Sequence, residues 1–242
     1  MKEIIAPLPR EEIYAELTPD KLLRKTNKGG NEIYIFTYHD SPALMHEIGR
    51  LREITFRDAG GGTGNETDID YYDTAEVPYK QLIVWDPDAK EVLGGYRYLH
   101  CGEAPKDKDG NVVLATSRLF HFSKEFCDDY LPYTLELGRS FVQPTYQSSK
   151  AGAKALFALD NLWDGLGALI VDHPEIKYFF GKITMYMHFH QEARNLIQYF
   201  FKMYFRDKSN LAYPKEPVEF DFDVATMEKL FANCKSIIAI HS

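Results

Sequence analysis

Cysteine is scarce in this 242-residue chain: three only, Cys101, Cys127 and Cys234, widely spaced. No C-x-x-C occurs, so neither a structural zinc site nor a disulfide framework is expected, and the three read as small packed side chains. Basic charge is also short, with 28 Lys+Arg against 36 Asp+Glu and a net charge of −8. That balance argues against a nucleic-acid partner, which needs a basic face to neutralise phosphates. Long apolar runs are missing too. Nothing approaches the roughly 18 residues of a membrane span, and the N-terminus MKEIIAP lacks the apolar core of a signal peptide. The expectation is a soluble, cytoplasmic protein.

Several chemical motifs are absent as well. There is no G-x-S-x-G, and Gly138-Arg139-Ser140 does not replace it. The run Gly60-Gly61-Gly62-Thr63-Gly64 lacks the P-loop lysine and follows a helix pattern where a P-loop follows a strand, so a mobile loop is expected. Asp68 and Asp70 resemble the opening of a calcium loop, but Asp73 stands where the turn needs glycine and Tyr79 where it needs glutamate. His188 and His190 would share a face at a strand end, and read as solvated imidazoles before they read as metal ligands. No metal is expected.

What is present is an alternation of aromatic-rich strands and amphipathic helices. Residues 31–39 (NEIYIFTYH) read as a strand. Ser41 then stands as a cap before Pro42, and Leu44, Ile48, Leu51 and Thr55 recur at helical spacing. Residues 79–86 and 91–100 read as a hairpin around Pro87–Lys90, and 102–111 as a loop. A strand follows over 133–143, stopped by Pro144. A helix is expected over 153–172, with Leu156, Leu159, Leu162, Trp163, Leu166 and Leu169 as its stripe. Then come a strand over 176–186, a helix from about 191 to 205, a last short helix and an apolar end at 236–240. The order predicts one α/β (α+β) domain over 1–242: a mixed, mostly antiparallel central sheet with helices on both faces.

The segment 133–142 (YTLELGRSFV) places Glu136 and Arg139 inside an apolar strand. Buried charge is costly unless paired or put to use. Residues three apart in a regular strand face opposite ways, and Gly138 is where a bulge would bring both onto one face. Arg97 lies beside glycines in the neighbouring hairpin, with Arg52, Asp70 and Asp73 upstream. On the residues alone, this acid–arginine constellation fits either an ion-pair network fixing a loop to the sheet or a reactive site.

LREITFR (51–57), DIDYYD (68–73), YKQLIVWD, GGYRYL and ELGRSFVQPTYQ, taken in order, resemble the GNAT-type N-acyltransferases that make bacterial amino-acid lipids. These are the ornithine-lipid and glycine-lipid synthases, often labelled hemolysin-like, with the acyl-homoserine-lactone synthases more distantly similar. The resemblance covers about residues 45 to 205, and ALDNLWDGLGAL (158–169) is most similar to the glycine-lipid type. It implies a GNAT-like sheet, and a catalytic group made of Glu136, Arg139 and Arg97. It implies substrate contacts at Arg52, Asp70, Asp73, Ser140 and Val142. It also implies transfer of a fatty (3-hydroxy) acyl group from acyl carrier protein to the α-amine of glycine or ornithine, with no bound cofactor. Glu136 would act as base, backbone N–H groups at the bulge would hold the oxyanion, and Arg97 or Arg139 would hold the acceptor carboxylate.

Coenzyme A is the lesser donor under this reading, because Gln147-Ser148-Ser149-Lys150-Ala151-Gly152 lacks the first glycine of a pyrophosphate loop. Lys150 and Lys154 would suit one phosphate of the phosphopantetheine. An acidic carrier needs a locally basic face, for which Lys21, Arg24, Lys25 and Lys28 offer one patch and Arg206 with Lys208 a smaller one. A solvated face is the plain alternative for these residues. The lipid product implies peripheral membrane association at the inner face. Only 236–240 stands where two closing strands are expected, which suggests a shortened sheet in a truncated chain or a short homologue. The rival readings are a lactone-forming synthase and a GNAT-fold protein that binds acylated carrier without turnover.

Overall fold

The computed structural model describes residues 1–147, 152–217 and 223–231, with backbone alone over 153–156. The chain forms two compact units. The first spans Met1–Arg118 and Lys124–Lys182, and the second takes Leu119–Ser123 with the described residues after Lys182.

The first unit is built on a six-stranded sheet. Its strands are β1 (Leu22–Lys25), β2 (Glu32–Phe36), β3 (Lys80–Asp86), β4 (Glu91–His100), β6 (Thr134–Val142) and β7 (Tyr178–Gly181), side by side in that order. Every neighbouring pair is antiparallel except β6 and β7, which run parallel. The mostly antiparallel mixed sheet is the one expected. Two elements at the start are additions: β1, whose LLRK was read only as charge, and helix α1 (Arg10–Glu16).

Helices cover both faces. On one lies α2 (Pro42–Asp58), whose Leu44, Met45, Ile48 and Leu51 pack with Ile13 of α1 against Tyr34, Phe36, Ile83, Trp85, Val92 and Phe141. Ser41 does not cap α2 with its side chain. The carboxylate of Glu16, from α1, takes that place and accepts the Ala43 and Leu44 N–H groups at 3.1 and 2.6 Å. On the other face, α4 (Ala153–Asp172) has the predicted bounds. Its buried stripe differs: Ala158, Leu162, Leu166 and Leu169 meet Leu82, Val84, Tyr96, Tyr98 and Leu135, while Leu159 and Trp163 are exposed. Helix and sheet approach closely at Gly165, where a Cβ would lie 2.8 Å from a Leu82 methyl.

The glycine run 60–64, expected to be loose, is fastened. The buried Glu53 carboxylate accepts from the Thr63 N–H and hydroxyl and the Gly64 N–H, and pairs with Arg57 at 2.7 Å. In the second unit, α5 (Gln191–Tyr204) carries Tyr199, which packs on Phe231 of α6 (Val224–Phe231). A small antiparallel pair joins β5 (Phe120–Phe122) to β8 (Ala212–Pro214). The predicted strand 176–186 is cut short at Gly181, so His188 and His190 lie in a turn and at the start of α5 rather than on a strand. Cys101 is buried and Cys127 half-buried, both free thiols. Cys234 and the apolar end 236–240 lie outside the described residues. Among the described residues no helix is long and apolar enough to cross a membrane.

Candidate active site

The site begins with a defect in β6. Gly95 pairs with Phe141 and Arg97 with Gly138, so two steps along β4 match three along β6. The extra residue makes a bulge at Arg139, whose φ of 52° is left-handed. The sequence placed the bulge at Gly138; it falls one residue later, on a side chain for which that backbone is strained. Alternation resets across it. Phe141 returns to the α2 side and Val142 turns to the α4 side, where it packs. Val142, expected at the substrate, therefore faces the other core.

Around the bulge stand three arginines and three aspartates from separate segments. The four-residue helix α3 (Tyr71–Thr74) is closed by a reciprocal cap: Asp70 accepts the Tyr72 N–H, and Asp73 accepts the Asp70 N–H. Both carboxylates also turn toward β4, where the Arg97 guanidinium meets Asp70 at 2.7 and 3.0 Å and Asp73 at 3.0 Å. Arg52 reaches Asp73 from α2 at 3.3 Å and also donates to Gln81, whose amide donates to Asp73 at 3.1 Å. Arg139 meets Asp68 at 2.8 Å and Asp70 at 3.3 Å.

Burial raises Asp73, but Arg52 and Arg97 outweigh it and hold the carboxyl at about 2. Burial acts against Arg97 as well, and Asp73 with Asp70 more than reverses it. Asp68 goes the other way. Its burial prevails over Arg139 and Arg52, and its pKa is raised.

Glu136 is outside that network. It is 1% exposed, yet no arginine or lysine pairs with it among the described residues. One oxygen accepts the Tyr79 hydroxyl and the Ala115 N–H at 3.2 Å; the other accepts the Thr116 N–H at 2.9 Å. Burial and then the Glu136 charge push the Tyr79 phenol far up, so it stays protonated and donates. Arg97 lies over the Tyr79 ring, 5.1 Å from its centroid. The carboxylate is thus held by neutral donors alone among the described residues.

The sheet opens beside it. β7 pairs with β6 from Thr134↔Tyr178 to Leu137↔Gly181 and stops, while β4 stays paired with β6 as far as Val142. Over 138–142 one side of β6 meets no described strand. Ser140 is exposed on this stretch.

The structure thus gathers Glu136, Arg139, Arg97, Asp70 and Asp73 within one region on the α2 side. It separates others expected there. Arg52 is 0% exposed and stands behind Asp73, held to that carboxylate. Lys21 donates to the Glu16 and Asp40 carbonyls and the Ser41 hydroxyl, tying α1 to the start of α2. It is committed inside the fold, not to a docking face. Arg24 and Lys25 lie on β1, the edge strand four places from β6. Arg24 donates to Asn27 at 2.7 Å. Lys150 and the side chain of Lys154 lie outside the described residues.

Tyr79, Gln81, Asp68 and Lys182 belong to the region and were missed. Tyr79 stands just before β3 in an apolar run, where an aromatic is unremarkable. Gln81 sits within that strand, and a polar residue between Lys80 and Leu82 was the available signal.

The bulged strand, the sheet order and the helix on each face define a GNAT-like acyltransferase fold. The family model described as an acetyltransferase (GNAT) domain matches residues 51–156. A glycine N(alpha)-acyltransferase of Phocaeicola vulgatus is 59% identical over 231 residues, covering 96% of this chain and 71% of that one. A protein of the same name from Bacteroides thetaiotaomicron is 57% identical, covering 97% and 69%. A solved structure from the V. cholerae mobile metagenome, an integron cassette protein, overlaps 84% of this chain and 98% of its own. Its TM-score of 0.37 and 16% identity carry no argument. The chain belongs to the GNAT-family N-acyltransferases of the glycine-lipid synthase type.

Proposed function

We propose that this chain transfers a fatty acyl group from the phosphopantetheine thioester of an acyl carrier protein to the α-amine of glycine, forming an N-acylglycine. The acceptor follows the names of the two bacterial relatives. The observation that carries the chemistry is Glu136, a buried carboxylate with no counter-cation among the described residues, next to the open edge of β6.

Glycine arrives as an ammonium, which has no lone pair to attack a thioester. Glu136 takes one proton, directly or through a water. The amine nitrogen then bonds to the acyl carbon, the carbonyl oxygen gathers charge, and N–H groups at the bulge stabilise it. The C–S bond breaks, the nitrogen gives up its second proton, and the pantetheine leaves as a thiol. Tyr79 holds the Glu136 carboxylate in place by its hydroxyl. Arg139 is the arginine of the cluster with an appreciably exposed side chain, 28%, and it is the one suited to meet the acceptor carboxylate. Arg97, engaged on both terminal nitrogens, orients Asp70 and Asp73.

A carrier-borne donor agrees with the incomplete pyrophosphate motif at 147–152. The amphiphilic product would partition into the inner face of a membrane. Mass spectrometry of lipids from cells expressing wild type or Glu136→Gln tests the reading. N-acylglycine appearing with wild type alone is the expected result. A homoserine lactone would move the chain to the lactone-forming branch, and full turnover by a folded Glu136→Gln protein would overturn the base.

A further inference from the structure

Gly138 lies between Glu136 and the bulge, and the space where its side chain would stand is lined by a cation. The Nε of Arg97 is buried and has no hydrogen-bond partner among the described residues, although both terminal nitrogens of that guanidinium are engaged. A Cβ on Gly138 would stand 3.6 Å from that nitrogen and 3.8 Å from the Arg97 Cγ. A buried donor without a partner costs free energy until something accepts from it. The glycine leaves room for an acceptor to reach it.

Two more cations border this space. Arg139 is the next residue, turned by its left-handed backbone toward Asp68 and Asp70. The third is on β7. Gly181 is level with Leu137 and Phe180 with Glu136, so the next residue, Lys182, comes level with Gly138. Neighbours in register project from the same face of a sheet, and Lys182 therefore rises on the face that carries Glu136. Burial, Arg139 and Arg97 together lower its ammonium pKa, which places it within range of both guanidiniums. Arg97 and Arg139 keep Asp68, Asp70 and Asp73 on their other side, so an anion entering over Gly138 meets donors and not those carboxylates.

We propose that Lys182 and Arg139, with Arg97 Nε behind them, seat the carboxylate of the acceptor over Gly138, and that Lys182 makes the enzyme select an α-amino acid over a simple amine. This rests on the reading of the chain as a glycine acyltransferase. Seated there, a carboxylate leaves the α-nitrogen on the side of Glu136, two residues along the same strand face. A carrier phosphate is the other anion that could reach the seat, and the kinetics distinguish the two.

The test uses the full chain with acylated carrier, varying glycine and carrier separately. Lys182→Gln should raise KM for glycine on the order of ten-fold with KM for the carrier unchanged, and Lys182→Arg should restore most of the loss. Gly138→Ala has a non-left-handed backbone and ordinary contact distances for its methyl, so it should fold while filling the seat and raising KM for glycine. With glycinamide, which lacks the carboxylate, wild type and Lys182→Gln should be equal. An unchanged KM for glycine in Lys182→Gln overturns the proposal, and a rise in KM for the carrier instead assigns the seat to phosphate. A glycine-binding titration separates the seat from the reaction. Binding that depends on Lys182 in a chain without turnover upholds the seat and sinks the functional reading, whereas no glycine binding sinks the seat.

Discussion

Asp68 and Asp73 are both enclosed, both beside arginine, and shifted in opposite directions. Asp73 also accepts from the Gln81 amide, and the two guanidiniums that grip it overcome its burial. Asp68 has one close ionic partner among the described residues, the Arg139 Nε, poorly aligned for a hydrogen bond, and burial wins. The linkage signs follow. Asp73, depressed to about 2, adds stability that is fully present above its unfolded pKa near 4 and is lost as pH falls from there through about 2. That contribution is about 2 kcal/mol at neutral pH. Asp68, raised, costs stability at neutral pH, and the cost fades as pH falls through its folded pKa. Thermal melts at pH 7 should therefore show Asp73→Asn clearly destabilised and Asp68→Asn at or above wild type. A Tyr79→Phe variant should fold and lose turnover through a less well-held Glu136, checked by kcat with KM for glycine little changed. The charged members of the region were legible in the sequence because charge inside an apolar strand demands a reason. Lys182 was not, since nothing local shows that β7 ends one residue earlier and beside Gly138.

β4 is tightly confined at its two glycines. A Cβ on Gly94 would stand 2.4 Å from the Phe141 carbonyl oxygen, and one on Gly95 2.6 Å from the Leu82 carbonyl oxygen. Backbone closes in on both edges of the strand, where no side chain can swing aside. Gly95→Ala should cost roughly 1–3 kcal/mol or more in denaturant unfolding, against little for Gly138→Ala. Helix α4 shows what periodicity can and cannot deliver. Its bounds were read correctly, but its apolar residues occupy two adjoining stripes, and only the fold decides which one is covered. Leu162→Ala should cost about 2–5 kcal/mol, while Trp163→Ala, on a residue 66% exposed, should stay within about 0.5 kcal/mol. β1 was missed because its charges masked a four-residue strand, and the cap of α2 because its acceptor, Glu16, lies 27 residues before Ala43.

At the scale of the molecule, the first basic patch lies at the edge of the sheet far from β6. β1 is four strands from β6, about 19 Å at roughly 4.8 Å per strand. A carrier delivering its thioester beside Glu136 has no need to touch it. The double variant Arg24→Glu/Lys25→Glu should leave KM for the carrier unchanged. Lys21→Met should lower the melting temperature instead, because three acceptors lose their donor. The strand and helix order was legible as a whole, since each element carries its own period. The placing of distant charges on the sheet was not, because strand order is set by pairing and not by position in the sequence.

Glu16 closes the end of a helix that, two and a half turns on, presents Arg52 to Asp73 and Glu53 to the glycine loop. The opening segment of the chain, whose Lys2 N–H also donates to the Gly64 carbonyl at 2.8 Å, is therefore a brace for the site's carboxylates. Trimming the first 17 residues, a tempting shortcut for expression, should slacken the grip on Asp73 and be felt as lost turnover far from the cut.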